Sequence, residues 1–434
     1  MNKVAFYTLG CKVNQFETSA IKQLFIEKGY EEVEFEDVAD VYVINTCTVT
    51  NLSDKKSRKM IRRAKSRNDD AVIIVTGCYS QMSPDEVASI EGVSLIIGTK
   101  ERHKIIEFLN SYLVDKKQIN MVSDIIKEEN FEELKSSNFN NRARAFLKIQ
   151  DGCDRFCTYC IIPYARGRVR SKRIEEVVAE AREYSKNGFK EVVLTGIHIA
   201  SYGKDFGFEV SLIDAIERVS EIDGIERVRI GSVEPGLIDA KFLNRLAGIE
   251  KFCHHFHISL QSGSDEILKK MNRKYTTMEF MEKVNIIRDV FPDVGITTDV
   301  IIGFPGETEQ DLEQTMAFVK GIEFSWIHVF KYSPRKGTPA ARFDNQINES
   351  IKNLRNKRLT DVSKAMRNDF MQRFTGINMD VYFESEVDGK TGWFEGHTGN
   401  FIKVQAKSSR DLNGIIAKVY LEKVQDGYIS ALII

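Results

Sequence analysis

The sequence predicts an α/β protein in three parts: an N-terminal parallel-sheet α/β domain over 1–114, a central partial (α/β) barrel over 139–369, and a small all-β barrel over 372–434. Three observations carry this. Strand-like and amphipathic helical runs alternate from the start of the chain, which is the pattern of a parallel sheet. A second alternation, with six strand-like runs, follows a polar interruption and suits a partial or full α/β barrel. Beyond Phe374 the texture changes to short alternating runs broken by Gly, Asn and Asp, the composition of a small β-barrel.

In the first part, residues 3–8, 41–45, 72–77 and 95–98 read as strands, with helical patterns at 15–28, 55–66 and 84–89. Cys11, Cys47 and Cys78 each stand just after a strand, in TLGC, INTC and VTGC. The carboxyl ends of parallel strands share one edge, where ligands bind, so three distant cysteines can converge there. Residues 115–141 turn polar and mixed in charge and read as a linker, in part helical. The second series runs through strands at 146–150, 191–196, 227–231, 255–260, 295–303 and 326–332, with helices such as 174–187 and 277–290 between them. Strands at 379–384, 393–397, 401–405 and 415–422 make up the last part.

Composition narrows the function. The 434 residues hold 62 Lys+Arg against 63 Asp+Glu, and 42% are hydrophobic. That excludes a wholly disordered chain and a small disulfide scaffold. No apolar run approaches the roughly 18 residues of a membrane span, and MNKVAFYTLG lacks a signal peptide's apolar core. A cytoplasmic protein without a membrane partner is expected, and in that reducing compartment closely spaced cysteines ligate metal or react.

The strongest motif is Cys153-x3-Cys157-x2-Cys160, in DGCDRFCTYCIIP, directly after the first strand of the second series. Three thiolates so spaced satisfy three irons of a 4Fe–4S cluster and leave the fourth without a protein ligand. A zinc knot is the alternative, but it wants a fourth Cys or His close by, and the next is His198.

CxxxCxxC after the first barrel strand resembles the radical S-adenosylmethionine superfamily. TLGCKVNQFE, NTCTVT, TGCYSQ, SLQSGSDEILKKMNR and DVIIGFPGE then resemble the methylthiotransferase family within it, and WFEGHTGNFIKVQ resembles its TRAM domain. The likeness spans essentially the whole chain. GCKVNQFE and NTCTVT look most like the branch acting on threonylcarbamoyladenosine in tRNA. The resemblance implies a radical SAM core over 139–369 and a second 4Fe–4S cluster on Cys11, Cys47 and Cys78, for which buried inert thiols are the alternative. It implies S-adenosylmethionine at the open iron of the Cys153, Cys157 and Cys160 cluster, cleaved to a radical that takes hydrogen from carbon 2 of the adenine beside the anticodon. Sulfur from the second cluster fills that carbon, and a second S-adenosylmethionine supplies the methyl. An electron donor such as a flavodoxin or ferredoxin and a sulfur source are implied partners.

By the same resemblance, Tyr159 lies by the adenine of S-adenosylmethionine, Gly196 near its amine, Glu234 and Gln261 near its ribose, and Arg273 faces its carboxylate. TGIHIASYG stands where the superfamily commonly has Gly-Gly-Glu. The run 55–67 holds eight Lys/Arg and no acid; phosphate binding and a solvated helix face are its two readings. RGRVRSKR adds five cations near the other cysteine set, favouring a polyanionic substrate. CHHFHIS reads as a packed strand, not a zinc site, with His255 and His257 on one face and Cys253 without a catalytic part. Trp393, Phe394 and Phe401 suit base stacking or a barrel core. Rival functions are action on isopentenyladenosine in tRNA, action on a ribosomal-protein aspartate, and RNA binding with structural or sensory clusters.

Overall fold

The computed structural model describes residues 2–135 and 143–434. The expected linker, 115–141, therefore falls partly outside the described residues; before them it contributes one short strand and a 3-10 turn.

The N-terminal sheet has six parallel strands: β1 (Lys3–Thr8), β2 (Glu31–Val33), β3 (Val41–Thr46), β4 (Val72–Gly77), β5 (Val93–Ile96) and β6 (Ile119–Asn120). Their order is β2-β1-β3-β4-β5-β6, so the winding reverses between β1 and β3. That is the switch point where open parallel sheets bind ligands. β3 and β4 are buried along their whole length, as VYVINT and VIIVTG demand, with helices on both faces. Those helices are α1 (Lys12–Glu27), α2 (Asn51–Arg67), α3 (Cys78–Met82), α4 (Pro84–Ala88) and α5 (Ile105–Asp115).

The second domain begins with β7 (Arg144–Lys148) and a two-stranded ribbon, β8 (Gln150–Asp151) and β9 (Arg170–Ser171), flanking α6 (Ile162–Arg166). Its other strands are β10 (Glu191–Thr195), β11 (Arg227–Ile230), β12 (His255–His257), β13 (Gly295–Ile302) and β14 (Trp326–Lys331). Two parallel three-stranded sheets, β7-β10-β11 and β12-β13-β14, are tied by bridges such as Val228 to Phe252 and Val233 to Ile258. The result is a six-stranded partial barrel, open between β7 and β14, with α7 (Ile174–Lys186) and later helices packed outside.

The N-terminal domain lies across that opening. On one side α1 packs on β7, placing Phe16 and Ala20 in the barrel's own core. On the other, Arg335, just beyond β14, donates to Asp54 and Thr48 at 2.6 Å each. Between the domains sits a charge network with Glu17, Arg102 and Arg166 all at 0% exposure. Glu17 binds Lys148 at 2.9 Å, Arg102 at 2.6 Å and Arg166 at 2.9 Å, and Lys148 also meets Asp151 at 2.6 Å.

The C-terminal module is a closed five-stranded barrel of β15 (Asn378–Glu386), β16 (Trp393–Thr398), β17 (Lys403–Lys407), β18 (Ile416–Gln425) and β19 (Tyr428–Ile433). The last strand was not legible in the sequence. Phe394 belongs to this barrel's core. Phe401 is packed between domains, stacked between His255 and His397 at 4.5 and 4.6 Å, and so is not a base-stacking platform. Its φ is +70°, which aims the β16–β17 turn into the α/β barrel. Among the described residues no helix is long and apolar enough to cross a membrane.

Burial pushes the Glu17 carboxyl up, but Arg102, Arg166 and Lys148 outweigh it and hold it far below its ordinary 4.5. Its stabilising share is therefore complete above about pH 4.5 and lost as pH falls below it. Glu17→Ala should cost about 3–5 kcal/mol, because it strands buried cations. Denaturant unfolding should show nearly the same large loss at pH 7 and at pH 4, narrowing only at lower pH, because the folded carboxyl stays ionised well below 4.5.

Candidate active site

The N-terminal cysteines leave adjacent strands at the switch-point edge. Cys11 caps α1 after β1, Cys47 follows β3, and Cys78 opens α3 directly after β4. Gly10 and Gly77 make the turns, with φ of +115° and +101°. A Cβ on Gly77 would lie 2.5 Å from oxygens of Asn45 and Thr46, so only glycine fits there. Cys11 is exposed, while Cys47 and Cys78 are buried. Burial raises the Cys47 thiol and pushes Cys78 up to about 12, and the neighbouring sulfurs raise both further. Arg166 opposes this, donating from Nε to Cys78 Sγ at 3.3 Å. Asn14 orders the same edge: it accepts from Arg166 at 2.6 Å and donates to the Leu9 and Thr46 carbonyls at 2.7 and 3.1 Å.

Cys153, Cys157 and Cys160 share the loop between β8 and α6, at the carboxyl end of β7. The β8–β9 ribbon closes that loop, and Cys153 N–H donates to Gly167 O at 3.0 Å. Burial pushes the Cys153 and Cys160 thiols up to about 11 and 12. Arg273 donates from Nη1 to Cys157 Sγ at 3.3 Å. Each cysteine set thus has one guanidinium on one sulfur, a donor suited to the thiolate form.

Of the five residues expected near S-adenosylmethionine, Tyr159, Gly196, Glu234 and Arg273 gather around this loop, while Gln261 is tied to β13. Glu234 is the hub, 3.0 Å from Arg273, 2.7 Å from Arg155 and 3.1 Å from His198 Nε2. Burial pushes its carboxyl up, but His198 and Arg273 outweigh this and bring it to about 2. Arg273 also donates to the Tyr275 hydroxyl at 2.9 Å and the Ser259 carbonyl at 3.3 Å. Tyr159 packs on the Met271 and Phe304 cluster, and its phenol is raised by burial. Gln261 holds a φ of +73° while bridging to β13, a strained backbone of the kind found at ligand sites. Gly196 abuts Gln150, whose Oε1 accepts the His198 N–H at 2.7 Å. Arg155, His198 and Tyr275 escaped sequence reading, since only the fold brings them to Glu234.

Alternate residues of the barrel strands face its lumen. They include Arg144, Phe146 and Lys148 on β7, Glu191 on β10, Arg229 on β11, Asp299 on β13 and His328 on β14, while Ala145, Val192, Val228 and Phe256 are buried on the other face. His255 and His257 share the Thr297 hydroxyl at 2.9 and 3.0 Å, the packed strand expected. Neighbouring strands nevertheless bring Asp299 and His328 to His257, with the three ligating atoms within 4.8 Å of one another. Lys12, just after Cys11, reaches over the Phe146 ring at 5.9 Å.

The two basic runs part company. On α2, Arg63 and Arg67 bind Glu36, Arg58 binds Glu86 at 2.8 Å and Lys65 binds Asp69 at 2.6 Å. Lys55, Lys56, Lys59 and Arg62 stay exposed. In RGRVRSKR, by contrast, Arg166, Arg170 and Lys172 are buried, so the run offers two exposed cations, Arg168 and Arg173, where the sequence suggested five. Its inward residues meet carboxylates or carbonyls: Lys172 binds Glu180, and Arg170 donates to the Arg166 carbonyl at 2.9 Å.

Comparison with known proteins agrees with this architecture. Residues 147–319 match the Radical SAM superfamily, and residues 3–98 match Uncharacterized protein family UPF0004. The chain is 46% identical to the threonylcarbamoyladenosine tRNA methylthiotransferase MtaB of Bacillus subtilis over 428 residues, 98% of this chain and 94% of the relative. It is 42% identical to the Aquifex aeolicus protein of the same name, over 86% of this chain and 91% of that one. It is 35% identical to a tRNA-2-methylthio-N(6)-dimethylallyladenosine synthase of Clostridium botulinum, over 96% and 93%. In fold it is similar to the radical S-adenosylmethionine methyltransferase TsrM of Kitasatospora setae, with a TM-score of 0.56 at 16% identity over 79% of this chain and 77% of that one. With near full-length identity to such relatives, the chain belongs to the radical S-adenosylmethionine methylthiotransferase family.

Proposed function

We propose that this chain is a tRNA methylthiotransferase that places sulfur and a methyl group on carbon 2 of N6-threonylcarbamoyladenosine beside the anticodon. The observation that carries this is the pair of three-cysteine sets, each on strand ends, with the sheet of one docked across the open side of the other's barrel. Relatives named for threonylcarbamoyladenosine share more of the sequence than those named for dimethylallyladenosine, which supports the substrate.

The residues fit two 4Fe–4S clusters: each set offers three thiols and a guanidinium on one sulfur, and the seventh cysteine, Cys253, belongs to neither set. When bound, the clusters and S-adenosylmethionine supply hydrogen abstraction at carbon 2, the sulfur and the methyl. Cys153, Cys157 and Cys160 would hold the radical-generating cluster, and Cys11, Cys47 and Cys78 the sulfur-donating one. Tyr159, Gly196, Glu234, Gln261 and Arg273 would hold S-adenosylmethionine against the barrel set, with Arg155 and His198 orienting Glu234. The exposed cations of α2 would grip phosphates of the tRNA. An electron donor such as a flavodoxin or ferredoxin and a sulfur source complete the reaction, which we place in the cytoplasm.

Anaerobic reconstitution should give about eight iron per chain. Changing Cys153, Cys157 and Cys160 to Ala should leave about half the iron and abolish cleavage of S-adenosylmethionine. The same change at Cys11, Cys47 and Cys78 should spare cleavage yet yield no methylthiolated nucleoside by mass spectrometry. A triple variant that kept all its iron would contradict the two-cluster assignment.

On α2, reversing Lys55, Lys59 and Arg62 to Glu should weaken tRNA binding. Each lost phosphate contact should flatten the log–log salt dependence by about 0.7–0.9. Reversal of Arg63, already bound to Glu36, should change the slope far less. Titrations at two salt concentrations decide it, and an unchanged slope in the triple variant would refute the contact.

A further inference from the structure

The geometry points to Lys12 as the residue that receives the carboxylate of the substrate's threonyl arm. This rests on the substrate proposed above. Helix α1, docked on β7, directs Lys12 into the barrel lumen, where its Nζ stands 5.9 Å from the Phe146 ring centre. Phe146 lies on the lumen side of β7, in register with Val193 of β10, so the ammonium stands over the inner face of the barrel. The side chain remains accessible to solvent.

The other lumen cations already have partners. Lys148 binds Glu17 and Asp151, Arg144 binds Glu384 at 2.7 Å, and Arg229 binds Glu191 at 2.9 Å. Glu191, the lumen carboxylate of β10, is shared among Arg144, Arg227 and Arg229. Among the described residues Lys12 has no carboxylate within ion-pair distance. An ammonium at the solvent-open mouth of a polar lumen, beside cations that are already matched, is suited to an incoming anion.

Position and chemistry agree. Lys12 adjoins Cys11, so an adenine whose carbon 2 faces the N-terminal cysteines extends its N6 arm within reach of this side chain. The threonylcarbamoyl arm ends in a carboxylate, whereas a dimethylallyl arm is neutral and apolar. A site that pairs its charge with the anion of the substrate disfavours the analogue that leaves that charge unpaired.

The test uses reconstituted full-length enzyme and anticodon stem-loops carrying threonylcarbamoyladenosine, its methyl ester, or dimethylallyladenosine. Wild type should favour the acid over the ester by about tenfold to a hundredfold in kcat/KM, the range of one charge-assisted hydrogen bond. Lys12→Gln should lose that preference through the acid alone while keeping its iron, and Lys12→Arg should recover part of it. A wild-type acid-to-ester ratio near one, or a ratio kept in Lys12→Gln, would overturn the role of Lys12 and leave the substrate intact. Wild-type turnover of the dimethylallyl stem-loop and not of the acid would overturn the substrate, and this inference with it.

Discussion

A buried cluster of charge fixes how the two α/β domains meet. Glu17 comes from the first domain and Lys148, Asp151 and Arg166 from the second, and all lie at 2% exposure or less. Burying such groups is costly unless every charge is matched, and here Arg102 and Glu132 extend the matching outward at 2.5 Å. Apolar surfaces can slide past one another, but a buried salt-bridge network has one register. The network therefore specifies a geometry more than it adds stability.

That register reaches the chemistry through Arg166. The residue ends α6, the short helix that follows Cys160, so its place is set by the barrel's cysteine loop. Its guanidinium nevertheless touches Cys78 and Asn14 of the other domain. One side chain thus reads both cysteine sets, and a shift of either domain would break its contacts with Glu17 at the same time. Reacting groups carried by separate domains need this kind of fixed spacing, because small displacements cost large factors in rate.

The sequence made much of this legible and hid a definable remainder. Period-two and period-3.6 patterns located the six barrel strands, and helix 277–290 coincides with the observed Thr277–Val290. The cysteines at strand ends were readable because parallel sheets place those ends on one edge. Charge was not readable in the same way. RGRVRSKR and the α2 run look alike as strings, yet three of five cations in one are interior while the other lies on a half-exposed helix, because partners mostly distant in the chain decide which cations are matched. Lys12 and Asn14 likewise stood inside GCKVNQFE, a motif read for its cysteine and its family likeness and not for any role of these two side chains. Their neighbours, Phe146 and Arg166, come from another domain. Phe401 was legible as an aromatic but not as an interdomain wedge, since its left-handed turn and the two stacking histidines are tertiary facts.

Among the described residues, two closures bound the lumen and leave the carboxyl-end rim as its approach. Phe401 and the β16–β17 turn plug the amino-terminal end of the barrel strands, where Arg229 donates to the Gly399 carbonyl at 3.1 Å. The N-terminal sheet closes the side between β7 and β14. What remains is the carboxyl-end rim, where α2 begins: Asn51 N–H donates to Ser333 Oγ at 3.0 Å just past β14. Val49 and Leu52 are exposed on this rim, at 51% and 60%, between Cys47 and the open cations Lys55, Lys59 and Arg62. Apolar side chains beside unpaired cations suit a base turned out of its stack with phosphates on either side. The same rim carries both cysteine sets, so a base entering by this face arrives between them.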